Sequence, residues 1–481
     1  DWKNVSGSGE SKILEEMTYE EFLRTKQQSD INHGFNAEKI PSSAFDFQSY
    51  IIDKSLYKGR CANFLDTGTG KTLIQLSIAD NIVRKTNKKV LILTPLAVAF
   101  QFIKEASERD ITDDVEYSKN GKFTKNIVIT NYERLHYFDT NDFECVMLDE
   151  SSILKNFDGE IKQQITSFMR KTPYRFLSTA TPSPNDYIEL GTSSEALGYM
   201  GYMDMLSRFF KNNQNKVAKL SQISKARQGE EWYLKPHAEK DFWRWVKGWS
   251  ITMRRPSDLG FSDNRFVLPE LIEKKTIVNN KNLMDKDGQL MMFNVPAINF
   301  HEIKQEVRNT IGERCEMAVE KANNHETSVY WVNLNDEAKR ISELDKTAYE
   351  IKGSMDIDKK EELLIAFSNG EIKKLITKTS ITAFGLNWQH CNHTTYFPTY
   401  SYEQYYQAIR RFWRFGQKRP VVVDLVLSDG QTRIMESLQV KRQKADEMFT
   451  NLTRNVNDML HLEKRKLTKQ ITLPKVLCKA K

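Results

Sequence analysis

Asp66-Thr67-Gly68-Thr69-Gly70-Lys71-Thr72 has the residue types and spacing of a loop that holds phosphate. Glycines let backbone amides close around phosphate oxygens, and a helix opening at the loop adds its N-terminal amides and dipole. Thr67, Gly68, Thr69 and Gly70 would form the cradle. Lys71 would reach the outer phosphates, and the Thr72 hydroxyl would sit on Mg²⁺. The strict eight-residue pattern begins with glycine, where this chain has Leu65. About 80 residues further on, Asp149-Glu150 closes the apolar run Cys145–Leu148. Asp149 can hold Mg²⁺ directly or through water, and Glu150 can orient and deprotonate an attacking water. A solvated acidic turn would look the same in isolation; the phosphate loop upstream gives the pair a use.

Two further segments carry chemistry. Ser178-Thr179-Ala180-Thr181-Pro182 follows an apolar run, and its small hydroxyl side chains could relay the state of a bound nucleotide or simply mark a strand exit. Gln407-Ala408-Ile409-Arg410-Arg411-Phe412-Trp413-Arg414-Phe415-Gly416-Gln417 places Arg411 and Arg414 three apart, on one face of a helix. Delivered from a second unit to a γ-phosphate, they would stabilise transition-state charge. On an isolated helix they would equally suit a basic solvated end or phosphate contacts to nucleic acid.

The elements that must position these groups alternate. Ala62–Leu65, Val90–Leu93, Ile127–Ile129, Cys145–Leu148 and Tyr174–Leu177 read as buried strands, with Thr72–Arg84 an amphipathic helix between the first two. Such alternation predicts a parallel sheet with crossover helices. It weakens between about Leu190 and Glu270. It then resumes with Val329–Val332, Leu375–Thr377, Thr394–Phe397 and Val421–Leu427 as strands, and with helices over Asp336–Leu344, Lys359–Asn369 and Tyr402–Arg414. The organisation expected is an N-terminal extension over 1–40, with a short helix around Tyr19–Lys26; a first α/β unit over 41–270, with a mainly helical insertion at about 190–265; a second over 271–460; and a basic tail over 461–481. Trp232, Trp243, Trp245 and Trp249 lie in the insertion, either packing its helices or stacking bases.

The 481 residues are too many for one ordinary domain, and the 39% hydrophobic and 28% charged fractions are those of a globular protein. No apolar run is long enough for a membrane span. The chain opens on Asp1 with no secretory pattern, and Ser6-Gly7-Ser8-Gly9 reads as a flexible linker. The five dispersed cysteines form no Cys-x-x-Cys pair, which argues against a zinc knuckle or disulfide framework and for a reducing cytosol. A net charge of +7 permits a polyanionic partner without requiring one.

In order along about residues 45–440, these segments resemble helicase superfamily 2, and most of all its Swi/Snf-type translocating ATPases. Asp66 to Thr72 resembles that group's Asp-Glu-Met-Gly-Leu-Gly-Lys-Thr loop. Gln48 stands where a Gln that reads adenine is expected. Val90–Leu96, including Thr94 and Pro95, and Ile129-Thr130-Asn131-Tyr132 are similar to segments that touch the nucleic-acid backbone. Asp149-Glu150-Ser151-Ser152-Ile153-Leu154-Lys155-Asn156 looks like the Asp-Glu-Ala-His box with its trailing Lys-Asn. Ala180-Thr181-Pro182 with Asn185, Met253-Arg254-Arg255 with Leu268-Pro269, and Gly385-Leu386-Asn387 match three further motifs. Gln407 to Gln417 matches the last, which puts Gln407 and Gly385 in the nucleotide-binding set. Three departures concern coupling: Ser151-Ser152 replace Ala-His, Trp413 replaces His, and Arg410 replaces an acid.

The resemblance implies two RecA-like lobes facing each other across an ATP and Mg²⁺ site. Its catalytic groups would be Lys71, Asp149, Glu150, Arg411 and Arg414, and its metal ligands Thr72 and Asp149. Nucleic acid, foremost double-stranded DNA, would lie along Thr94, Pro95, Thr130, Asn131, Lys155 and Asn156. A monomer in a bacterial or phage-infected cytosol is expected. A strand-separating DNA or RNA helicase shares the same motor, and an ATP-binding scaffold with little turnover is the reading from a different class.

Overall fold

The computed structural model describes residues 33–95, 98–155, 159–183, 186–212, 232–264, 266–278, 300–382, 386–399 and 401–470, with side chains for all but residues 300–302, 382, 433 and 458–470. The helix expected around Tyr19–Lys26, and Asn156, Asn185 and Gly385, lie outside the described residues.

In chain order the first half contributes β1 (Arg60–Leu65), β2 (Lys89–Thr94), β3 (Val115–Tyr117), β4 (Ile127–Asn131), β5 (Phe143–Asp149), β6 (Tyr174–Thr179), β7 (Phe210–Asn212), β8 (Trp232–Leu234) and β9 (Ser250–Met253). Seven of them make a parallel sheet in the order β3-β4-β2-β5-β6-β1-β9. Strands β1, β2, β5 and β6 are buried along nearly their whole length. Helices cover both faces of such a sheet, so its strands are written as continuous apolar runs.

The second half contributes β10 (Leu271–Val278), β11 (Ser328–Trp331), β12 (Ala348–Glu350), β13 (Lys374–Thr377), β14 (His393–Tyr396) and β15 (Val421–Ser428). They form a second parallel sheet in the order β10-β15-β14-β11-β13-β12. The chain thus builds two RecA-like parallel-sheet lobes.

Two differences from the sequence reading are structural, and the two alternatives left open for the tryptophans resolve to packing. The stretch after Leu190 holds the helices Leu190–Leu197, Tyr202–Phe209 and Glu239–Trp249 and an antiparallel β7–β8 ribbon, but its end, β9, returns to the main sheet beside β1. Trp243, Trp245 and Trp249 are buried against Phe209 and Phe242, so they pack the lobe rather than offer faces to bases. The helix expected over Tyr402–Arg414 stops at Ile409 with Arg410 at its cap, and the chain continues in turns.

A 39-residue helix, Thr432–Gln470, leaves lobe two and crosses to lobe one. Ile434, Met435 and Leu438 pack into one hydrophobic cluster, while Phe449, Leu452 and Val456 pack into another with Trp243, Trp245 and Trp249. Asn457 Nδ2 donates to the carbonyls of Thr252 (3.2 Å) and Asp258 (3.0 Å), fixing the far part beside β9. Among the described residues, no helix is long and apolar enough to cross a membrane.

Candidate functional site

The phosphate loop joins the C-terminal end of β1 to the helix Lys71–Thr86. Gly70 caps that helix with φ +86°, and no side chain bonds its first amides. Those amides stay available to an anion. A Cβ on Gly70 would fall 2.2 Å from Gln48 Nε2, and one on Gly68 (φ +81°) 2.6 Å from the backbone nitrogen of Phe415 in lobe two. Both positions need glycine for conformation and for space. Lys71 Nζ donates to the carbonyls of Leu65 (3.1 Å) and Asp66 (3.2 Å), which hold it folded back against its own loop. Desolvation in the cleft lowers its pKa, against the pull of Glu150, Asp149 and Asp66. Thr72 lines the cleft together with Glu105 of the helix Ala99–Glu108.

Asp149 ends β5 and accepts from Gln75 Nε2 at 2.8 Å. Burial raises its carboxyl to about 6, and neighbouring Glu150 pushes the same way; the Gln75 hydrogen bond, Lys71 and Arg414 oppose. Glu150 has φ +58°, a left-handed conformation that a non-glycine residue adopts at some cost. The Thr179 hydroxyl donates to its carboxylate, and the Tyr132 hydroxyl donates to the Asp149 carbonyl. Thr179 belongs to the segment read as a possible relay, and the chain of contacts continues. The Thr181 amide donates to Thr179 Oγ1 (3.0 Å), Gln407 Nε2 from lobe two reaches Thr181 Oγ1 (3.4 Å), and Lys155 pairs with Glu403 of lobe two at 2.6 Å.

Lobe two supplies the arginines. Because the helix ends at Ile409, Arg411 and Arg414 do not share a helix face, yet both line one cleft of about 490 Å³ with Gln48, Thr67, Gly68, Gly70, Lys71, Thr72, Asp149, Glu150 and Gln407. Thr69 sits just behind, its hydroxyl donating to the Asp66 carbonyl at 2.7 Å. Arg411 is 2% exposed, and its guanidinium lies 5.0 Å from the Trp388 ring. All three of its side-chain nitrogens lack a hydrogen-bond partner among the described residues. Burial, and then Arg414, depress its pKa well below the ordinary value, against the pull of Glu150. An unpaired buried guanidinium is costly, so this one is poised for an anion. Arg414 Nη1 donates to the Leu386 carbonyl at 3.4 Å.

Gln48 spends its amide internally, donating to the Thr69 carbonyl (2.8 Å) and accepting from the Phe45 amide (2.9 Å). The residues matched to nucleic-acid contacts divide. Thr94 and Asn131 are register partners at the ends of β2 and β4. Thr94 Oγ1 donates to the Thr130 carbonyl (3.4 Å), Thr130 Oγ1 to the Ser118 carbonyl (2.8 Å), and Asn131 Nδ2 to the Pro95 carbonyl (3.2 Å). Lys155 lies apart, at the lobe interface. Sequence reasoning missed Glu105 and Arg109, which also line the cleft. Nothing in their spacing marks them, because only the fold brings them there. Among the described residues, no cluster of three or more His, Cys, Asp or Glu gathers to hold a metal. Mg²⁺ bound with a nucleotide takes only one or two protein ligands, which Thr72 and Asp149 can provide.

Residues 45–190 match the family described as DEAD/DEAH box helicase, and residues 299–416 the helicase conserved C-terminal domain. A 177-residue segment, 35% of this chain, is 25% identical to the uncharacterized ATP-dependent helicase YqhH of Bacillus subtilis (strain 168) and spans 31% of that protein's length. Among solved structures, the SWI2/SNF2 ATPase core of Sulfolobus solfataricus in complex with dsDNA is 16% identical, covering 89% of this chain and 99% of that one, with a TM-score of 0.38. A Dbp5 variant of S. cerevisiae bound to RNA and ADP BeF3 is 13% identical, covering 85% and 93%, with a TM-score of 0.50. This last likeness is one of fold. The two matched families fall in order on the two lobes, and the chain belongs to helicase superfamily 2.

Proposed function

We propose that the protein hydrolyses ATP and uses the closure of its two lobes to move along nucleic acid, with duplex DNA as the track. The observation that carries the reading is the unpartnered Arg411 guanidinium, buried in lobe two and lining the same cleft as Lys71, Asp149 and Glu150 of lobe one. Triphosphate entering this cleft would take Lys71 from the Leu65 and Asp66 carbonyls and give Arg411 its missing partner. Glu150, held by Thr179, would orient the attacking water and take its proton. Arg411 and Arg414 would meet the charge that develops on the transferred phosphoryl group. Thr72 and Asp149 would hold Mg²⁺, which neutralises charge on the phosphates. Since the site needs both lobes, closure and hydrolysis are linked.

Coupling to a track has a route in the contacts that join Glu150 to lobe two through Thr179, Thr181 and Gln407. Thr94, Pro95, Thr130 and Asn131 would border the backbone of the nucleic acid. Such contacts give little sequence preference and weaken with salt.

Steady-state ATP hydrolysis tests this for the wild type and Glu150→Ala, with no nucleic acid, duplex DNA, single-stranded DNA and RNA, at low salt. Strong stimulation by duplex DNA, lost in the variant, is the expected result. Stimulation by single strands or RNA alone would replace the duplex track with a strand-separating reading. Equal turnover in wild type and variant would overturn the assignment of the site.

A further inference from the structure

Arg410 and Trp413, the two departures noted in the last motif, meet in space, and Arg410 in turn meets the first residue of the phosphate loop. Arg410 Nη2 pairs with Asp66 Oδ2 at 3.2 Å across the lobe boundary, with both side chains about one-tenth exposed. Tyr406 donates its hydroxyl to Asp66 Oδ1 at 2.7 Å. The Arg410 guanidinium lies 5.2 Å from the Tyr406 ring and 4.6 Å from the Trp413 ring. Trp413 is itself anchored, its Nε1 donating to the Pro269 carbonyl at 2.6 Å. A planar guanidinium between two rings has little freedom, and its charge is directed at one carboxylate.

The same Asp66 organises the loop behind it. Its Oδ1 accepts from the Thr67 amide at 2.6 Å, and its carbonyl accepts from Thr69 Oγ1 and Lys71 Nζ. Burial alone would raise the Asp66 carboxyl; the Arg410 charge, the Tyr406 hydroxyl, Arg254 and the Thr67 amide outweigh it and hold the group below its ordinary value. On the other side, Arg410 directly precedes Arg411. The ion pair therefore joins the first residue of the phosphate loop to the residue next to the unpaired arginine.

We propose that Asp66 and Arg410, with Tyr406 and Trp413 holding Arg410 in place, form an interlobe lock that sets the phosphate loop and Arg411 in register when the cleft closes. Asp66 and Arg410 are positioning residues for hydrolysis, and this role rests on the ATPase reading above. The physical basis is asymmetric. Removing one partner of a buried pair strands the other charge, whereas removing both does not. Opening the cleft must break the pair, so the lock biases the molecule toward the closed arrangement before nucleotide binds.

A double-mutant cycle over Asp66→Asn and Arg410→Gln tests it, read two ways. The first readout is the nucleotide-free distance between the lobes, followed by energy transfer between a donor on one lobe and an acceptor on the other. The second is kcat and KM for ATP. Each single variant should open the lobes and lower kcat by about tenfold, equivalent to ~1.4 kcal/mol, with a smaller change in KM. The double variant should be no worse than either single one, because the effects are coupled. Arg410→Lys, which keeps the charge and loses the stacked plane, should recover part of kcat. Single effects that multiply in the double variant, or an unchanged interlobe distance, would overturn the lock. Wild-type protein that hydrolyses no ATP would remove the ATPase reading instead, while the distance measurement still decides on the lock.

Discussion

Gly68 shows how much of the site lies beyond its motif. The pattern of glycines, Lys71 and Thr72 was legible in the sequence because a phosphate loop is local: neighbouring residues make the cradle. Gly68 has a second duty that spacing does not display. Its Cα faces the Phe415 backbone, so an alanine Cβ would collide there at 2.6 Å while also straining a φ of +81°. The strain alone costs about 1–2 kcal/mol. Gly68→Ala should therefore hold the cleft ajar and lower kcat/KM for ATP by about tenfold, with a far smaller loss of global stability. A variant with wild-type kcat/KM would show that Phe415 does not need to approach the loop. The Asp66–Arg410 pair was illegible for a related reason: its partners are separated by most of the chain, and only closure of one lobe on the other joins them. Gln48 and Lys155 lie in the cleft and at the interface, but each spends its polar end inside the protein, on the Phe45 amide and Thr69 carbonyl and on Glu403.

At the scale of elements, burial decided what the sequence could reveal. Strands β1, β2, β4, β5 and β6 are covered on both faces and appear as plain apolar runs. Strand β10 lies at a sheet edge with Glu273, Lys274 and Lys275 exposed, and β9 is four residues long; neither run stands out. The helix before Arg411 was read one turn too long because apolar spacing continues through Phe412. Phe412 does enter the core, but from the turns after Ile409. The base of lobe two carries a titratable cluster. His393 bridges Ser328 Oγ (2.8 Å) and Asp424 Oδ2 (3.0 Å), and His325 stacks on it with centroids 3.8 Å apart. Burial first, then His393, Lys274 and Arg419, push His325 down to about 4 from 6.5, against Asp424. Between those values the unfolded chain binds a proton that the folded one refuses. Stability should therefore fall as pH drops from about 6.5 toward 4. Urea unfolding at pH 7 and pH 5 checks this, and His325→Gln should flatten part of the difference. An equal loss in the variant would assign the slope to other groups.

The whole molecule is tied in two ways. Across the cleft, Asp66 meets Arg410, Lys155 meets Glu403, and the Tyr117 hydroxyl donates to Glu361 at 2.6 Å. Along the back, the helix Thr432–Gln470 starts in lobe two and packs its middle on lobe one, where Arg254 bonds Asp446 (2.8 Å) and Thr450 (2.9 Å). Leu452 is fully buried in that contact. Leu452→Ala should cost about 2–5 kcal/mol, read as a lower urea midpoint; an unchanged midpoint would mean that the helix adds no stability there. The amphipathic pattern of this segment alone does not say which lobe it covers, since its partner surface is built from residues some 200 positions away.

The two-lobe site itself is tested most directly at Arg411, in single-turnover hydrolysis alongside direct measurement of ATP binding. Arg411→Ala should bind ATP within a few-fold of wild type and hydrolyse it about 1,000-fold more slowly, the scale of a lost arginine at a transferring phosphoryl group. Hydrolysis by Arg411→Ala at the wild-type rate would contradict the account, since the unpaired arginine would then contribute no charge to the reaction.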